Sequence, residues 1–250
     1  MRKLRHFFIK LKTIDSTNQY AEQLLTKHLV KVETIILADE QTSGKGQGDN
    51  IWESEPGKNA TFSLILFPFF LSPENQFLLN KSITLGIIDF LNSLSLGQKV
   101  SIKWPNDIYA GNRKMGGILI QNTICGREFE SSIAGIGLNL NQVKFHPLLQ
   151  NPVSLKQITG KSYNVEEVVN NIVDSIDERY QQLKRGSFET LGRDYQEHLF
   201  RIDEWKDYIV NKKVIKGKIK GVDDNGFLKV EIKNGVEFCF QHGDIDFVFT

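Results

Sequence analysis

The chain has 250 residues, enough for one large domain or one of roughly 150 to 200 residues with a small companion. Hydrophobic residues make up 40% and charged residues 24%, ordinary globular values, and 31 basic against 30 acidic side chains leave a net charge of +1. No global field therefore recruits nucleic acid or a membrane. The basic start, Met1 to Lys10, lacks the apolar run and small-residue cleavage site of a signal peptide. The longest apolar run, Phe62 to Leu71, contains Ser63 and Pro68 and is about half the length a spanning helix requires. Cys125 and Cys239 form no metal spacing and fall in apolar strand-like runs, so both read as buried, reduced thiols of a cytoplasmic chain.

Phe7 to Leu11 alternates as a strand, and Ser16-x-x-Gln19 has the form of a capping box for a helix with Tyr20, Leu24 and Leu25 on one face. Ser16 and Thr17 thus stand at a strand-to-helix corner, where hydroxyls either cap the helix or face a ligand. Thr34 to Leu37 and Thr61 to Phe67 read as strands, and between them runs the stretch Ala38 to Trp52, with Gly44, Gly46 and Gly48 at alternate positions. Such glycines let backbone N–H groups converge on an anion, and Lys45 adds a charge. The spacing matches neither Gly-x-Gly-x-x-Gly nor the phosphate-loop pattern, and a polar link between strands is equally a plain connection.

Ser72-Pro73-Glu74 starts a helix whose Phe77, Leu78, Ile83, Leu85, Ile87, Ile88, Leu91 and Leu94 are core, ending near Gly97. Val100, Ile102 and Trp104 alternate as a strand that stops at Pro105, and Asn106-Asp107 turns into Ile108-Tyr109. A turn at Ala110 to Arg113 leads to Lys114-Met115-Gly116-Gly117 and a strand from Ile118 to Cys125. Phe129 to Leu140 forms another, containing Gly135-Ile136-Gly137-Leu138-Asn139. This mixture, without strict βαβ alternation, predicts a mixed sheet with helices on one face. Asn164-x-x-Glu167 caps a helix reaching Leu183, and Ser187 starts another. From about Asp203 short strands with turns at Asp224-Asn225-Gly226 and Asn234-Gly235 predict a small barrel-like unit that must dock on its neighbour. In it Leu228, Val230 and Ile232 share a face of one strand, and Val236, Phe238 and Phe240 a face of the next.

Lys103 and Lys114 are the candidate charges for chemistry. A lysine near a strand end is usually a solvated charge, but Gly116-Gly117 just after Lys114 lets a ligand come close while the ammonium reaches its anionic group. Gly135 and Gly137 point either to close approach by a ligand or to packing under a helix, and Asn139 offers both donor and acceptor. No zinc spacing and no Ser/His/Asp order with a nucleophile elbow is present, and His6, His28, His146, His198 and His242 sit in no motif. What remains is a set of backbone N–H groups, lysines and amides suited to stabilising charge on phosphate and carboxylate.

Five motifs stand in a telling order: Asp15-Ser16-Thr17-Asn18; Gln41 with the glycine loop and Trp52; Lys103-Trp104-Pro105-Asn106-Asp107; Lys114-Met115-Gly116-Gly117-Ile118-Leu119; and Gly135 to Asn139. In these the chain resembles the biotin protein ligases, or biotin–acetyl-CoA-carboxylase ligases, from Ile14 to the C-terminus. The resemblance implies an α+β fold related to class II aminoacyl-tRNA synthetases over residues 1–202, then a small SH3-like β-barrel over residues 203–250. It implies that Ser16, Thr17 and Gln41 hold the ureido ring of biotin, with backbone contact from Gly117. The loop of Gly44, Lys45, Gly46, Gln47 and on to Asn50 would fold over the biotin carboxylate and the α-phosphate, and Trp52 would pack on adenine. Lys114 would be the catalytic bridge between carboxylate and phosphate oxygens, with Asn106 and Asn139 on the nucleotide side.

The implied reaction joins biotin and ATP, with Mg2+, into biotinyl-5′-AMP, which a lysine of a biotin carboxyl carrier protein then attacks. The magnesium ligands and a homodimer are left open. Many members carry two arginines where Lys45 and Gln47 stand, and an Arg-Gly pair where Gly48-Asp49 stands, so a bidentate clamp is weakened and an acid enters an anion site. Some members also carry an N-terminal helix-turn-helix; here the catalytic part begins within about ten residues of Met1, so no DNA-binding role is expected. The alternatives are a lipoate–protein ligase on the same fold and a biotin-sensing module that makes no adenylate.

Overall fold

In the computed structural model, residues 7–48, 50–147, 149, 151–233 and 235–249 are described. The N-terminal Met1–His6, Asp49 of the glycine loop and Asn234 of the Asn234-Gly235 turn lie outside them. The first half of the chain supplies β1 (Phe7–Ile14), α1 (Thr17–Thr26), β2 (Thr34–Gln41), β3 (Ala60–Leu66), α2 (Gln76–Ser93), β4 (Val100–Lys103), β5 (Asp107–Ala110) and β6 (Arg113–Cys125). After these come β7 (Glu128–Leu138), α3 (Leu155–Thr159), α4 (Val165–Lys184) and α5 (Phe188–Glu197). Seven strands form one sheet in the order β1-β2-β3-β7-β6-β5-β4, with β1 and β2 parallel and the other pairs antiparallel.

The central strands are apolar on both faces, and a helix lies on each. Ile35, Leu37, Phe62, Leu64, Ala134 and Ile136 join the core formed with α2 and α4. The intervening Ile36, Ile65 and Ile133 pack instead with Ala21 and Leu24 of α1. The expectation of helices on one face is thus corrected, for the physical reason that near-continuous apolar runs belong to doubly covered strands. Against the larger face α2 and α4 touch backbone to backbone, since a Cβ on Gly86 would lie 2.5 Å from Ile176 Cα.

Helix ends divide between those the sequence anticipates and those it does not. Asn164 Oδ1 accepts from the Glu167 N–H at 3.1 Å and starts α4 as predicted. Ser16 is the extended N-cap residue of α1, yet its side chain makes no capping bond, so the capping box with Gln19 is absent. A complete box occurs instead at Ser154 and Gln157 of α3. The helix expected from Ser72 begins as a single 3-10 turn, Pro73–Asn75, and α2 then ends at Ser93, short of Gly97.

The C-terminal strands β8 (Trp205–Val210), β9 (Lys213–Val222), β10 (Leu228–Ile232), β11 (Glu237–Phe240) and β12 (Ile245–Phe247) form a second, antiparallel sheet in the order β11-β10-β9-β8-β12. Its Tyr208, Ile219, Leu228, Val230 and Ile245 belong to the same core as α2 and α4, so the small sheet is docked as its size requires. Trp104 Nε1 donates to the Gly226 carbonyl at 2.9 Å, and Gly226 lies so close to the Phe77 ring that a Cβ would stand 2.7 Å from it. Val236 and Phe238, read as sharing a face with Phe240, are exposed, Val236 just before the edge strand β11 and Phe238 within it. Both cysteines are exposed, contrary to expectation, Cys239 on that edge and Cys125 in the exposed last residues of β6.

Candidate functional site

Glycine opens a cavity of about 510 Å³ on the α1 face of the large sheet. Alternation sends Ile118, Ala134, Ile136 and Leu138 to the core, and the opposite positions are Gly117, Gly135 and Gly137. Missing side chains there leave room for Asn18, whose Oδ1 would be 2.3 Å from a Cβ on Gly135, and for Trp52, whose ring would be 2.3 Å from one on Gly137. The Trp52 indole N–H is buried with no hydrogen-bond partner.

At the α1 end of the cavity the Thr17 N–H donates to Gln41 Oε1 at 2.7 Å, and Thr17 Oγ1 lies 2.9 Å from the same oxygen. Ser16, freed from capping, is buried on the same wall. At the other end Asp107 Oδ1 pairs with Lys114 Nζ at 2.7 Å, and its Oδ2 lies 3.9 Å from Lys103 Nζ. Burial pulls the Lys103 ammonium below its usual pKa, against the opposing charge of Asp107. The Lys103 ammonium also sits 4.7 Å from the centre of the Phe247 ring. The Lys114 backbone is fixed on both sides, its N–H donating to Asn151 O at 2.8 Å and its carbonyl accepting from Val153 N at 2.9 Å.

The glycine loop closes between these ends as a tight hairpin, with Gly46 N to Asn50 O at 2.7 Å and Trp52 N to Gly44 O at 2.9 Å. A Cβ at Gly44 would fall 2.4 Å from Trp52 O, so Gly44 shapes the loop rather than the cavity wall. Of the other residues named from sequence, Ser16, Thr17, Gln41, Lys45, Gly46, Gln47, Asn50, Trp52, Asn106, Lys114, Gly117 and Asn139 line the cavity, whereas Gly48 and Gly116 do not. Gln47 Oε1 is buried without a partner. Asn106 and Asn139 have their amide nitrogens engaged, with Ile118 O at 2.7 Å and Val153 O at 3.3 Å, so they brace the backbone while presenting what remains of their polar groups.

Sequence reasoning missed two walls. Phe145, Leu149 and Pro152 close one side, and His242, Asp246 and Phe247 come from the C-terminal sheet. Asp107 was legible as part of a motif but carried no assigned role, because its partners are set by pairing of β5 with β4 and β6. Among the described residues no group of three His, Cys, Asp or Glu side chains is placed to hold a metal, and no helix is long and apolar enough to cross a membrane.

The sequence model of the biotin/lipoate A/B protein ligase family matches residues 11–139. The bifunctional ligase/repressor BirA of Bacillus spizizenii is 28% identical over 234 residues, which cover 91% of this chain and 70% of the relative. A biotin–acetyl-CoA-carboxylase ligase of Paracoccus denitrificans is 27% identical over 86% of this chain and 90% of its own length. Among solved structures, the biotin protein ligase of Aquifex aeolicus in complex with biotin and ATP superposes with a TM-score of 0.79 at 26% identity, covering 98% of this chain and 99% of that one.

Proposed function

The chain belongs to the biotin/lipoate A/B protein ligase family, and from that premise we propose that it is a biotin protein ligase. It converts biotin and ATP to biotinyl-5′-AMP and passes the biotinyl group to a lysine of a biotin carboxyl carrier protein. The observation that carries the reading is one cavity with amide and hydroxyl groups at Thr17 and Gln41 and two lysines at the far end. The first end suits a cyclic urea, and the second suits a carboxylate meeting a phosphate.

In the first step a biotin carboxylate oxygen attacks the α-phosphorus and the bond to pyrophosphate breaks. No proton moves, so the protein need only orient the reactants and offset the growing negative charge. Lys114 is placed to do so by turning its ammonium from Asp107 toward the reacting oxygens. The Gly44 to Asn50 loop, which lines the same cavity, would add the charge of Lys45 and the dipoles of those backbone N–H groups its hairpin leaves free. Magnesium bound with the ATP phosphates would supply charge neutralisation there, and Asp107, whose carboxylate lines the cavity, is the residue that would help to hold it. In the second step the neutral amine of the carrier lysine attacks the anhydride carbonyl, AMP leaves and the amine gives up a proton. A cytoplasmic setting, where ATP and carrier meet, completes the reading.

Incubation with biotin, MgATP and a biotin carboxyl carrier domain, read by mass spectrometry, tests it. The carrier should gain one biotinyl group with release of pyrophosphate. Transfer of lipoate in preference to biotin would replace this reading, and absence of biotin-dependent pyrophosphate would make the protein a sensing module.

A further inference from the structure

The hydrogen bonds behind Thr17 begin and end on main-chain groups, whose polarity cannot reverse. At one end the Asn18 side-chain amide reaches the Leu119 carbonyl at 3.3 Å and Gln121 Oε1 at 2.8 Å. A carbonyl only accepts, so the Asn18 nitrogen faces Leu119 and its oxygen faces Ser63. Ser63 Oγ lies 2.6 Å from that oxygen and donates to it. It also lies 2.7 Å from Thr17 Oγ1, and since the single Ser63 proton is committed, this contact requires the proton of Thr17.

At the other end the Thr17 N–H, which only donates, fixes Gln41 Oε1 as its acceptor. That orientation leaves the Gln41 amide nitrogen for the cavity that Gln41 lines. Both oxygens beside the Thr17 hydroxyl, Ser63 Oγ and Gln41 Oε1, are therefore acceptors, and its proton stays inside the protein. Only a lone pair remains for the cavity. Asn18, Ser63 and Thr17 are 5%, 0% and 3% exposed, so solvent does not rewire the chain.

We propose that Asn18 is a positioning residue that makes this end of the cavity one-way, an acceptor at Thr17 beside a donor at Gln41, and so selects a ring bearing N–H next to C=O. The proposal rests on the reading of the cavity as a biotin site and adds what that site refuses. A near-isosteric ring with oxygen in place of the N–H meets Thr17 lone pair to lone pair. Turning the Thr17 proton outward to meet it would leave Ser63 Oγ and Thr17 Oγ1 in contact with no proton between them. With Asn18 removed, Ser63 is free to donate to Thr17, and the Thr17 proton can turn to the ligand.

The test measures binding to the full chain by calorimetry for biotin, desthiobiotin and two biotin analogues, each with a different ureido N–H replaced by ring oxygen. Wild type should prefer biotin to at least one analogue by on the order of a hundredfold or more, as expected where a buried polar group is left opposed. Asn18→Ala should shrink that ratio by on the order of tenfold, while biotin and desthiobiotin weaken by a common factor. A structural role alone would weaken all four ligands together and leave the ratio unchanged, which would overturn the proposal. Thr17→Val should bring the ratio near one and Thr17→Ser should retain it, which keeps the proposal testable if Asn18→Ala does not fold. Wild type binding biotin and both ring-oxygen analogues equally would also overturn it. Wild type binding neither biotin nor desthiobiotin would instead overturn the biotin reading beneath it.

Discussion

At the scale of single residues the reactive end of the cavity is a contest for one carboxylate. Asp107 holds Lys114 at 2.7 Å and attracts Lys103 from 3.9 Å, so the role proposed for the Lys114 ammonium requires its release from that pair. Lys114→Ala removes a charge-assisted contact of about 1.5 to 3 kcal/mol, and adenylate formation should slow on the order of ten- to a hundredfold. Single-turnover release of pyrophosphate measures this, and an unchanged rate would remove Lys114 from the step. Lys103 carries the pH dependence. Its pKa is held below 10.5 by burial, so folding disfavours its charged form, and the stability this costs is regained as pH rises from the lowered value toward 10.5. Asp107→Asn takes away the charge that resists the shift, so the midpoint of Lys103 titration should fall further and the regain should start at lower pH. NMR titration of the Lys103 side chain checks the direction, and a midpoint that rises would contradict it.

At the scale of elements, legibility followed how local the cause is. Gly44, Gly46 and Gly48 marked the loop because their backbone demands are written in consecutive residues, and the loop is the tight hairpin such residues permit. The Ser16-x-x-Gln19 pattern misled because the same two residues appear whether the hydroxyl bonds back to the helix or turns to a cavity. That α1 would cover a second sheet face was present in the near-continuous apolar runs of β2 and β3, which alternation alone would not produce. Within the loop, the buried and unpartnered Gln47 Oε1 marks a place where a cation would be better matched to an anion than an amide oxygen is. Gln47→Arg supplies a charged, bidentate donor, and biotinyl-5′-AMP should leave on the order of five- to a hundredfold more slowly. Release of pre-formed adenylate into a chase of unlabelled ligand measures it, and equal half-lives would show that the loop grips by other means.

On the scale of the whole molecule, the two sheets share one core and one cavity, which no local pattern could announce. His242, Asp246 and Phe247 reach the cavity from far along the chain beyond Pro152, the lining residue that precedes them, and are joined to it by the contact of Gly226 with Trp104 and Phe77. Gly226→Ala should strain that joint twice, through a φ of +89° and through a Cβ 2.7 Å from the Phe77 ring. Stability should fall by about 1 to 3 kcal/mol, with ATP affinity falling alongside it. Chemical denaturation and nucleotide titration on the same variant check both, and loss of stability with intact ATP affinity would separate the small sheet from the site.

The glycine floor gives the molecule an unusual vulnerability. Most cores fail when atoms are taken away, but here Gly135 and Gly137 do their work by having nothing to remove. Damage arrives by addition: a single methyl group at position 137 would fall 2.3 Å from the Trp52 ring and evict it, while the helices and strands around it kept every contact they had. The result would be a well-folded protein whose chamber has lost the Trp52 wall, silent in an assay and unremarkable in a melting curve.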